Sequence, residues 1–412
     1  MTTGRPRIAV ATVVTANFVA YARVMARSLH DRHPDIPVFA VAAERRSVVE
    51  GWDEPDFALV PIEDFGLADL PWQAFVGTPH ELAVMGKPLV LRHVLDQGFD
   101  TAIFIDADIL ITGDLSPYFA ACAAHAVTLT PHLLRPAGTG NRLTRELTML
   151  RSGTFNAGSV AVSRRPSGWR FLDWWLARLR ACNRMEPGAG MHHDQRWLDL
   201  APAFFDEVGI VRDPGCNVAY WNLPERRLRR EGGVLVVDGG PCRYLHFSGV
   251  DPQRPELLSR HGGGIGREAL DSAADVLDDY VARLEAAGLA RTTAAPYSFG
   301  AFDNGVPIPD MARVLLRDLP DSRERFPDPF ASMAEDGFYR WLMAPDERLG
   351  AGHRIARLWG EVYREREDLR RAFADPAGRD QDAFLAWTST FGVREHQIDP
   401  RLLPAVRHEA SS

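Results

Sequence analysis

Two aspartates separated by a single residue, Asp106 and Asp108, directly follow the apolar run Thr-Ala-Ile-Phe-Ile at 101–105. Such a run is typical of a buried strand, and open α/β sheets bind ligands at the carboxyl ends of their strands. Residues two apart in an extended chain lie on the same side, so both carboxylates can converge on one cation that prefers oxygen ligands. A second Asp-X-Asp pair, Asp380 and Asp382, precedes a polar helical segment and is interpreted as surface charge. The first pair therefore predicts a divalent-metal site that binds a diphosphate group.

A histidine much later in the chain is the candidate third ligand. His246 closes the short β-like run that begins at Tyr244. A histidine in such a position is usually a core or surface residue, and only the two aspartates give it weight as a ligand. Two carboxylates and one neutral imidazole form a three-ligand site that leaves positions open for phosphate oxygens and water. The adjacent histidines His192 and His193 have no further ligand at the usual zinc spacing, so we predict no zinc site there.

Three polar residues are further candidates for contacts with a bound molecule. Asn156 precedes Gly158 and a β-branched run, where a glycine indicates close approach of the backbone. Asp194 and Gln195 stand at the start of a helical pattern. Each position has a structural alternative, Asn156 as a strand residue without a ligand and Asp194 as a plain helix N-cap. The residues by themselves leave these alternatives open.

The elements that position these residues alternate between strands and helices. Strand-like runs at 8–15 and 38–42 flank a helical segment at 19–30, which is the pattern of a right-handed βαβ unit. A further helical segment at 82–97 leads to the apolar run at 101–105. The alternation predicts an α/β fold with a doubly wound, Rossmann-like sheet.

The character of the sequence changes after the glycine-rich stretch at 261–266. An amphipathic helical pattern at 267–287 is followed by short helical segments that are separated by proline-containing turns. We therefore predict a smaller C-terminal α-helical domain. The predicted divisions are an α/β domain with the candidate site at 1–265, a linking helix at 266–290, a helical domain at 291–400 and a tail at 401–412.

Composition excludes several classes of protein. The chain has 412 residues, of which 46% are hydrophobic and 25% are charged, so it can bury a large core and is not a disordered protein. Its net charge of −8 gives no electrostatic footprint for nucleic acid. No apolar run reaches the roughly 18 residues of a membrane span, and the first apolar segment is too short for a signal peptide. Together with four widely spaced cysteines, which favour reduced thiols, this predicts a soluble cytoplasmic protein without a membrane span or a nucleic-acid partner.

Taken in order, the segments resemble the GT-A superfamily of nucleotide-sugar glycosyltransferases, and within it the retaining, galactosyltransferase-like branch known as family 8. The resemblance covers roughly residues 8–255. It consists of the first strand and helix, a helix with Lys87 or Arg92, the Asp-X-Asp strand, the Asn-Ala-Gly strand, the Asp-Gln pair and the closing His-Phe-Ser-Gly segment. No element is specific alone, but their order is.

The resemblance implies a GT-A fold with a mixed sheet and an enzyme that depends on a divalent metal, Mn²⁺ or Mg²⁺. The implied reaction moves a sugar from a nucleotide-diphosphate donor, with a UDP-sugar favoured, to a hydroxyl group of a carbohydrate or other glycosyl acceptor. Retention at the anomeric carbon and a role in surface polysaccharide or glycoconjugate synthesis are also implied.

The resemblance implies roles for individual residues as well. Lys87 falls close to a basic donor-binding residue of the family, and the further predicted donor-binding residues are Arg92, Thr12, Thr15 and Arg254. The predicted catalytic residues are Gln195, which would lie on the face of the anomeric carbon opposite the leaving group, and Asp194 beside it. The implied metal ligands are Asp106, Asp108 and His246, and the implied sugar contacts are Asp106, Asn156, Asp194 and Gln195.

Two stretches depart from the family pattern. The family often has a Gly-X-X-Lys-Pro-Trp segment after its histidine, with a lysine that touches the diphosphate, whereas the stretch from Gly249 offers only the displaced Arg254. The first strand carries Thr12 and Thr15 where the family usually has an acidic residue that reads the base. The base of the donor therefore stays open.

Two other classes of protein fit part of the pattern. A sugar nucleotidyltransferase would carry a glycine-rich phosphate loop directly after its first strand. The candidate loop, at 138–142, comes much later and is interpreted as a mobile loop on the acceptor side. A non-catalytic nucleotide-sugar-binding protein would tolerate the loss of Asp108 or Gln195, and both are present. We therefore favour the transferase.

Overall fold

The computed structural model describes residues 6–136, 143–261 and 264–404. In chain order the strands are β1 (Ile8–Val14), β2 (Val38–Ala42), β3 (Ala58–Pro61), β4 (Thr101–Ile105), β5 (Ile109–Ile111), β6 (Val127–Pro131), β7 (Phe155–Ser163), β8 (Met185–Glu186), β9 (Met191–His192), β10 (Val208–Ile210), β11 (Leu228–Glu231), β12 (Val234–Val237), β13 (Gly240–Pro241), β14 (Tyr244–His246), β15 (Leu257–Ser259) and β16 (Ile265–Gly266). The α-helices are α1 (Val19–His30), α2 (Arg46–Val49), α3 (Leu70–Val76), α4 (Pro79–Asp96), α5 (Ser116–Ala124), α6 (Leu143–Ser152), α7 (Pro166–Ala181), α8 (Gln195–Leu198), α9 (Ala201–Phe204), α10 (Asp275–Ala286), α11 (Leu289–Thr293), α12 (Asp310–Asp318), α13 (Ser322–Arg325), α14 (Phe338–Met343), α15 (Arg357–Glu365), α16 (Glu367–Ala372), α17 (Gln381–Trp387) and α18 (Val393–Glu395).

Within the described residues, seven strands form the central sheet in the order β10-β6-β7-β4-β1-β2-β3. Strand β7 runs antiparallel to both of its neighbours, β4 and β6, and the other neighbouring pairs are parallel. Every residue of β4, β6 and β7 is buried, as expected for strands that are covered on both faces. This arrangement confirms the predicted α/β class with a mixed sheet.

A short second ladder brings the late histidine next to the two aspartates. Strand β4 ends at Ile105, and β5 begins at Ile109, directly after the Asp-X-Asp pair. Strand β5 pairs antiparallel with β14, which sets His246 opposite Ile109. All residues of both strands are buried, so the removal of their side chains from water stabilises the pairing. The position of the third candidate ligand therefore depends on this ladder.

The helical pattern at 267–287 folds as a 3₁₀ segment, Arg267–Ala273, followed by α10. Helix α10 lies in one apolar cluster with β14 and α1. The rings of Phe247 and Tyr280 stack there with their centroids 4.1 Å apart. The helix therefore supports the segment that carries His246.

The chain divides into two compact units, one made of residues 1–65 and 80–297 and the other of 66–79 and 298–412. The central sheet and α10 belong to the first unit, and α3 joins α12 to α18 in the second. The helical C-terminal region is thus as predicted in character. The predicted divisions at 265, 290 and 400 stay a prediction, and the short segment 66–79 was not predicted to belong with the later helices.

Aromatic side chains form the core of the second unit. The ring of Phe75, on α3, lies 5.6 Å from that of Phe302, 5.1 Å from that of Phe330 and 5.2 Å from that of Phe338. Trp72, on the same helix, donates a hydrogen bond from Nε1 to Ser322 Oγ at 3.0 Å. Because these partners come more than two hundred residues later, the local sequence around α3 carries no sign of where its apolar face is buried.

Four further predictions concern a loop, the C-terminal tail, the cysteines and a membrane span. The loop at 138–142 lies outside the described residues, as does the predicted tail from 405 onward. At the start of that tail, Leu402 is buried and its carbonyl accepts a hydrogen bond from Trp359 Nε1 at 2.8 Å. All four cysteines are free thiols. Among the described residues, no helix combines the length and the apolar character that a membrane crossing requires.

Candidate active site

The three predicted metal ligands converge at the carboxyl end of β4. His246 Nε2 lies 3.1 Å from Asp108 Oδ1 and 3.9 Å from Asp106 Oδ2. One ligand atom from each residue lies within 4.8 Å of the other two. Separations of about 3–4 Å are those between neighbouring ligand atoms around a divalent cation with bonds of about 2.1 Å. The donor set of two carboxylates and one imidazole thus fits a single divalent cation.

Backbone contacts hold both aspartates in place. The N–H of Asp106 donates to the carbonyl of Gly158 at 2.9 Å, and the carbonyl of Asp108 accepts from the N–H of Phe247 at 3.0 Å. These two bonds tie the Asp-X-Asp turn to β7 on one side and to the end of β14 on the other. The carboxylates are therefore positioned by elements that are distant from them in sequence.

Gly158 leaves the space in which the ligands meet. A Cβ atom at this position would clash with the Asp106 carboxylate and would lie 2.7 Å from His246 Cε1 and 2.8 Å from Asn156 Oδ1. Real Cβ atoms do not approach other atoms so closely, so only glycine allows β7 to pass this close to the site. The predicted close approach of the backbone at Gly158 is confirmed.

The imidazole of His246 is oriented by Asn217. His246 Nδ1 lies 3.3 Å from Asn217 Oδ1, so the Nδ1–H donates to the amide oxygen and Nε2 faces the carboxylates. Such a partner on the far nitrogen is what fixes the tautomer of a metal-binding histidine. Asn217 is fully buried and has a left-handed backbone conformation with φ 56°. Sequence reasoning missed it, because a single asparagine in a loop gives no signal.

The acids of the site favour a positive charge between them. Burial opposes the charged imidazole, but Asp108 and Asp106 together raise the pKa of His246. Burial would also raise the pKa of Asp108, yet His246, a backbone hydrogen bond and Lys87 together lower it. Both shifts have the same cause, the attraction between the carboxylate and a cationic partner in a setting that excludes water.

Lys87, on α4, links the ligand cluster to Asp194. Its Nζ lies 2.9 Å from Asp194 Oδ2 and 3.3 Å from Asp106 Oδ1, and it donates to the carbonyl of Ala157 at 3.1 Å. Burial alone would lower the pKa of Lys87, but the two carboxylates outweigh it and raise the pKa above its ordinary value. The lysine is 7% exposed, so this charge is neutralised inside the protein and not by solvent.

The structure also decides how Asp194 is used. Its side chain makes no capping hydrogen bond to α8, and it faces Lys87 instead. Although burial raises the pKa of Asp194, Lys87 together with His80 and His193 lowers it. The neighbouring Gln195 is buried, and its Nε2 lies 3.2 Å from His192 Nδ1. The plain N-cap interpretation of Asp194 is therefore not the one that the structure supports.

Asn156 lies in the same group, beside a histidine that sequence reasoning missed. Its Nδ2 is 3.2 Å from His132 Nε2, and its Oδ1 accepts from the N–H of Gly158 at 3.1 Å. Both side chains are buried. His132 follows β6 as a lone histidine after a proline, a pattern without any functional signal.

The remaining predicted residues have partners elsewhere, except Thr12, whose hydroxyl has no hydrogen-bond partner in the described residues. Arg92 pairs with Asp173 and lies over the ring of Trp169 at 5.3 Å, whereas Arg254 is exposed and pairs with Glu256 at 3.5 Å. Thr12 is fully buried in β1, and Thr15 Oγ1 donates to Asn17 Oδ1 at 2.6 Å. Within the described residues, none of these four side chains forms a hydrogen bond or ion pair with a candidate metal ligand. Their roles in donor binding stay a prediction.

Arg260 is an exposed basic residue, not predicted from the sequence, whose backbone is bonded to the segment that follows His246. Its backbone N–H donates at 2.9 Å to the carbonyl of Gly249, three residues after His246. Burial and then Asp108 raise the pKa of Tyr21, and Arg260 lowers it, so its charge and that of Asp108 act on the same tyrosine. Strand β15 directly precedes this arginine and returns its backbone to the segment that follows His246.

Comparison with known proteins gives matches of low identity. The chain is 25% identical over 244 residues to the uncharacterized protein YfnF of Bacillus subtilis (strain 168), covering 58% of this chain and 80% of that protein. It is 24% identical over 247 residues to the uncharacterized protein YfnD of the same organism, covering 58% of this chain and 76% of the relative. No family model matches.

Among solved structures, the galactosyltransferase LgtC, in complex with donor and acceptor sugar analogues, matches with a TM-score of 0.42 and 15% identity over 67% of this chain and 95% of LgtC. The glycosyltransferase GlyE of Streptococcus pneumoniae TIGR4 matches with a TM-score of 0.37 and 14% identity over 73% of this chain and 67% of GlyE. Both are glycosyltransferases, the class of enzyme that the sequence resembles.

Proposed function

We propose that this protein is a glycosyltransferase that moves a sugar from a nucleotide-diphosphate donor to a hydroxyl group of a carbohydrate or other acceptor. The observation that carries the proposal is the convergence of Asp106, Asp108 and His246 within 4.8 Å at the carboxyl end of β4. These residues would hold a divalent cation, Mn²⁺ or Mg²⁺. When bound, such a cation offsets the negative charge that develops on a departing diphosphate.

The two carboxylate oxygens of Asp106 have different partners. Oδ1 faces Lys87 and Oδ2 faces His246, so the lysine fixes the rotation of the carboxylate that the ligand cluster uses. Lys87 holds Asp194 at the same time. A sugar that lies against Asp106, Asp194 and Asn156 would thus meet side chains whose orientations are already determined, which lowers the entropic cost of binding it productively.

Gln195 is the proposed contact on the face of the anomeric carbon opposite the leaving group. Its buried amide is held from one side by His192. We expect retention of configuration through attack on the same face, with the departing phosphate taking the proton of the acceptor hydroxyl. Comparison of the anomeric couplings of donor and product by NMR tests this, because opposite configurations would exclude retention.

The donor is proposed to be a UDP-sugar, as the sequence resemblance favours. Arg260 is proposed to face the diphosphate in place of the missing lysine, since its backbone is tied to Gly249. A role in polysaccharide or glycoconjugate synthesis and a cytoplasmic location remain predictions from sequence.

The decisive experiment measures the release of nucleoside diphosphate from a panel of nucleotide sugars, with Mn²⁺, Mg²⁺ or chelator. We expect release with one class of donor, dependent on metal, and a loss of about a hundredfold or more in Asp108→Asn. The matched control is Asp382→Asn, in the exposed second Asp-X-Asp pair, which should keep full activity.

Two outcomes would contradict the proposal. Release that is unaffected by chelator and by Asp108→Asn would remove the metal site from the mechanism. Pyrophosphate formed from a nucleoside triphosphate and a sugar 1-phosphate, without any transfer from a nucleotide sugar, would identify a nucleotidyltransferase instead.

A further inference from the structure

A buried imidazole stands directly behind Asn156. His132 follows β6 and is only 4% exposed. Its Nε2 lies 3.2 Å from Asn156 Nδ2, and its Nδ1 lies 3.3 Å from the carbonyl oxygen of Thr154. Both nitrogens of the ring therefore have partners inside the protein.

The chemistry of these partners fixes the protonation of the ring. An amide nitrogen can only donate, so His132 Nε2 accepts from Asn156, and the Nδ1–H donates to the carbonyl of Thr154. The ring is therefore neutral, with its proton on Nδ1. Burial agrees with this, since it lowers the pKa of His132 to about 4.

The same contacts fix the amide of Asn156. Gly158 N–H requires an oxygen at 3.1 Å, and His132 Nε2 requires an N–H group at 3.2 Å, so the amide cannot be turned over. Of its two N–H bonds, one points at His132, and within the described residues the other has no partner. Asn156 Oδ1 lies 2.8 Å from the position of a Cβ atom at Gly158, the same position that a carboxylate oxygen of Asp106 crowds. The amide of Asn156 is thus held beside the candidate metal ligands.

We propose that His132 is a positioning residue, which holds the amide of Asn156 so that its free N–H donates to a hydroxyl group of the transferred sugar. The proposal rests on the glycosyl transfer proposed above. It assigns His132 to the sugar and leaves the cation and the diphosphate to other residues.

One buried segment, which carries Asn217, Trp221 and Asn222, contacts both His132 and His246. The ring of Trp221 makes edge-to-face contacts with both His132 and His246, with centroids 5.2 Å apart in each case. Asn222 Nδ2 donates to the carbonyl of His132 at 3.0 Å and to that of Asn217, the partner of His246, at 2.8 Å. The two imidazoles, one for the sugar and one for the cation, are therefore held by the same buried segment.

A double-mutant cycle tests the proposal on the full chain. We expect His132→Leu, which has no acceptor, to lower kcat/KM for the nucleotide sugar by about tenfold to a hundredfold, while the Kd for nucleoside diphosphate with Mn²⁺ stays within about twofold. His132→Gln places an amide oxygen near the position of Nε2 and should recover most of the activity. The double variant His132→Leu/Asn156→Ala should be no worse than Asn156→Ala, because His132 acts only through that amide.

The outcomes separate this proposal from the proposed function. The proposal would be overturned if the losses in kcat/KM of the two single variants multiplied in the double variant. It would also be overturned if nucleoside diphosphate affinity fell as much as kcat/KM, since this would show a merely structural role. A wild-type chain that uses no nucleotide sugar would overturn both. If His132→Leu fails to fold, as judged by circular dichroism, the comparison of His132→Gln with Asn156→Ala decides, since equal losses in these two would contradict the expected rescue.

Discussion

Lys87 is the cation that two acidic side chains of the site share. It is buried and lies within 3.3 Å of two carboxylates on different segments, Asp106 and Asp194. A buried charge that loses its partner is far more costly than an exposed one. The lysine therefore has a structural role that can be measured separately from any role in catalysis.

We expect Lys87→Met to lower the free energy of unfolding by about 3–5 kcal/mol, because it leaves two carboxylates without their cation. Arg92→Met is the matched control on the same helix, and its exposed pair with Asp173 should be worth at most about 1 kcal/mol. Urea denaturation followed by circular dichroism measures both. A similar cost for the two variants would mean that the buried pairs of Lys87 are not important for stability.

The buried imidazole of His132 predicts a loss of stability in acid. Burial lowers its pKa to about 4, whereas an imidazole in an unfolded chain titrates near about 6.5. Between these values the unfolded chain binds a proton that the folded chain does not, so the linked stability is complete above about pH 6.5 and is lost as the pH falls towards about 4. The total is roughly 3 kcal/mol.

We expect His132→Gln to lose less stability than the wild type between about pH 7 and about pH 4.5, by about 2 kcal/mol. Urea denaturation at a series of pH values gives the slope of the free energy of unfolding against pH for each protein. Parallel slopes would show that His132 is charged in the folded protein as well, contrary to the tautomer that its contacts require.

Arg260 and Arg254 are the two candidates for contact with the proposed diphosphate. Both are exposed; Arg260 is tied through its backbone to Gly249, and the side chain of Arg254 pairs with Glu256. We expect Arg260→Gln to weaken nucleoside diphosphate binding in the presence of Mn²⁺ by about tenfold and Arg254→Gln to leave it unchanged, because a charge-assisted bond to phosphate is worth about 1–2 kcal/mol. Isothermal titration calorimetry measures both, and the reverse ranking would restore the role that the sequence predicted for Arg254.

At the scale of elements, the site depends on how β5 and β14 are supported. The ladder between them is short, and it is covered by α10 through the stacked rings of Phe247 and Tyr280. Phe247 directly follows His246, and its N–H is bonded to Asp108. A change in the packing of α10 should therefore displace the candidate metal ligands through one peptide unit.

Tyr280 offers a matched pair of variants for this element. Its ring is fully buried, and its hydroxyl has no hydrogen-bond partner in the described residues. We expect Tyr280→Ala to cost about 3–5 kcal/mol and to weaken the thermal stabilisation by Mn²⁺, since the cavity frees Phe247 to move. Tyr280→Phe keeps the ring and should raise stability by about 1 kcal/mol. Thermal unfolding with and without Mn²⁺ measures both, and an unchanged Mn²⁺ effect in Tyr280→Ala would separate α10 from the site.

At the scale of the whole molecule, α3 shows that the two compact units are not consecutive stretches of chain. The helix lies within the first eighty residues, yet its Trp72 and Phe75 are buried by residues after 298. A chain that ends at 297 would keep α3 and lose these partners of Trp72 and Phe75. Two large aromatic side chains would then face water, which is a common cause of aggregation.

We expect the chain truncated at 297 to aggregate, and the same truncation with Trp72→Gln and Phe75→Gln to remain monomeric by size-exclusion chromatography. Metal-dependent release of nucleoside diphosphate by the monomeric form would show that the first unit holds the donor site by itself. Aggregation of both forms to the same extent would show that the exposed side chains of α3 do not cause the aggregation.

The sequence by itself determined the local features of this protein. Apolar β-branched runs marked β1, β2 and β4, and the Asp-X-Asp pair at the end of β4 marked the candidate metal site, because strand burial and ligand spacing are properties of a few neighbouring residues. The choice of His246 came from its place in an ordered resemblance, and the geometry agrees with it.

Only the tertiary structure decided which distant side chains support that site. Asn217 and His132 carry no signal in their local sequence, since each meets its partner, His246 or Asn156, only through the fold. The use of Asp194 as the partner of Lys87, and the burial of α3 by much later helices, were equally closed to sequence reasoning. Local sequence patterns indicate burial and secondary structure, but the identity of a long-range partner depends on the fold of the whole chain.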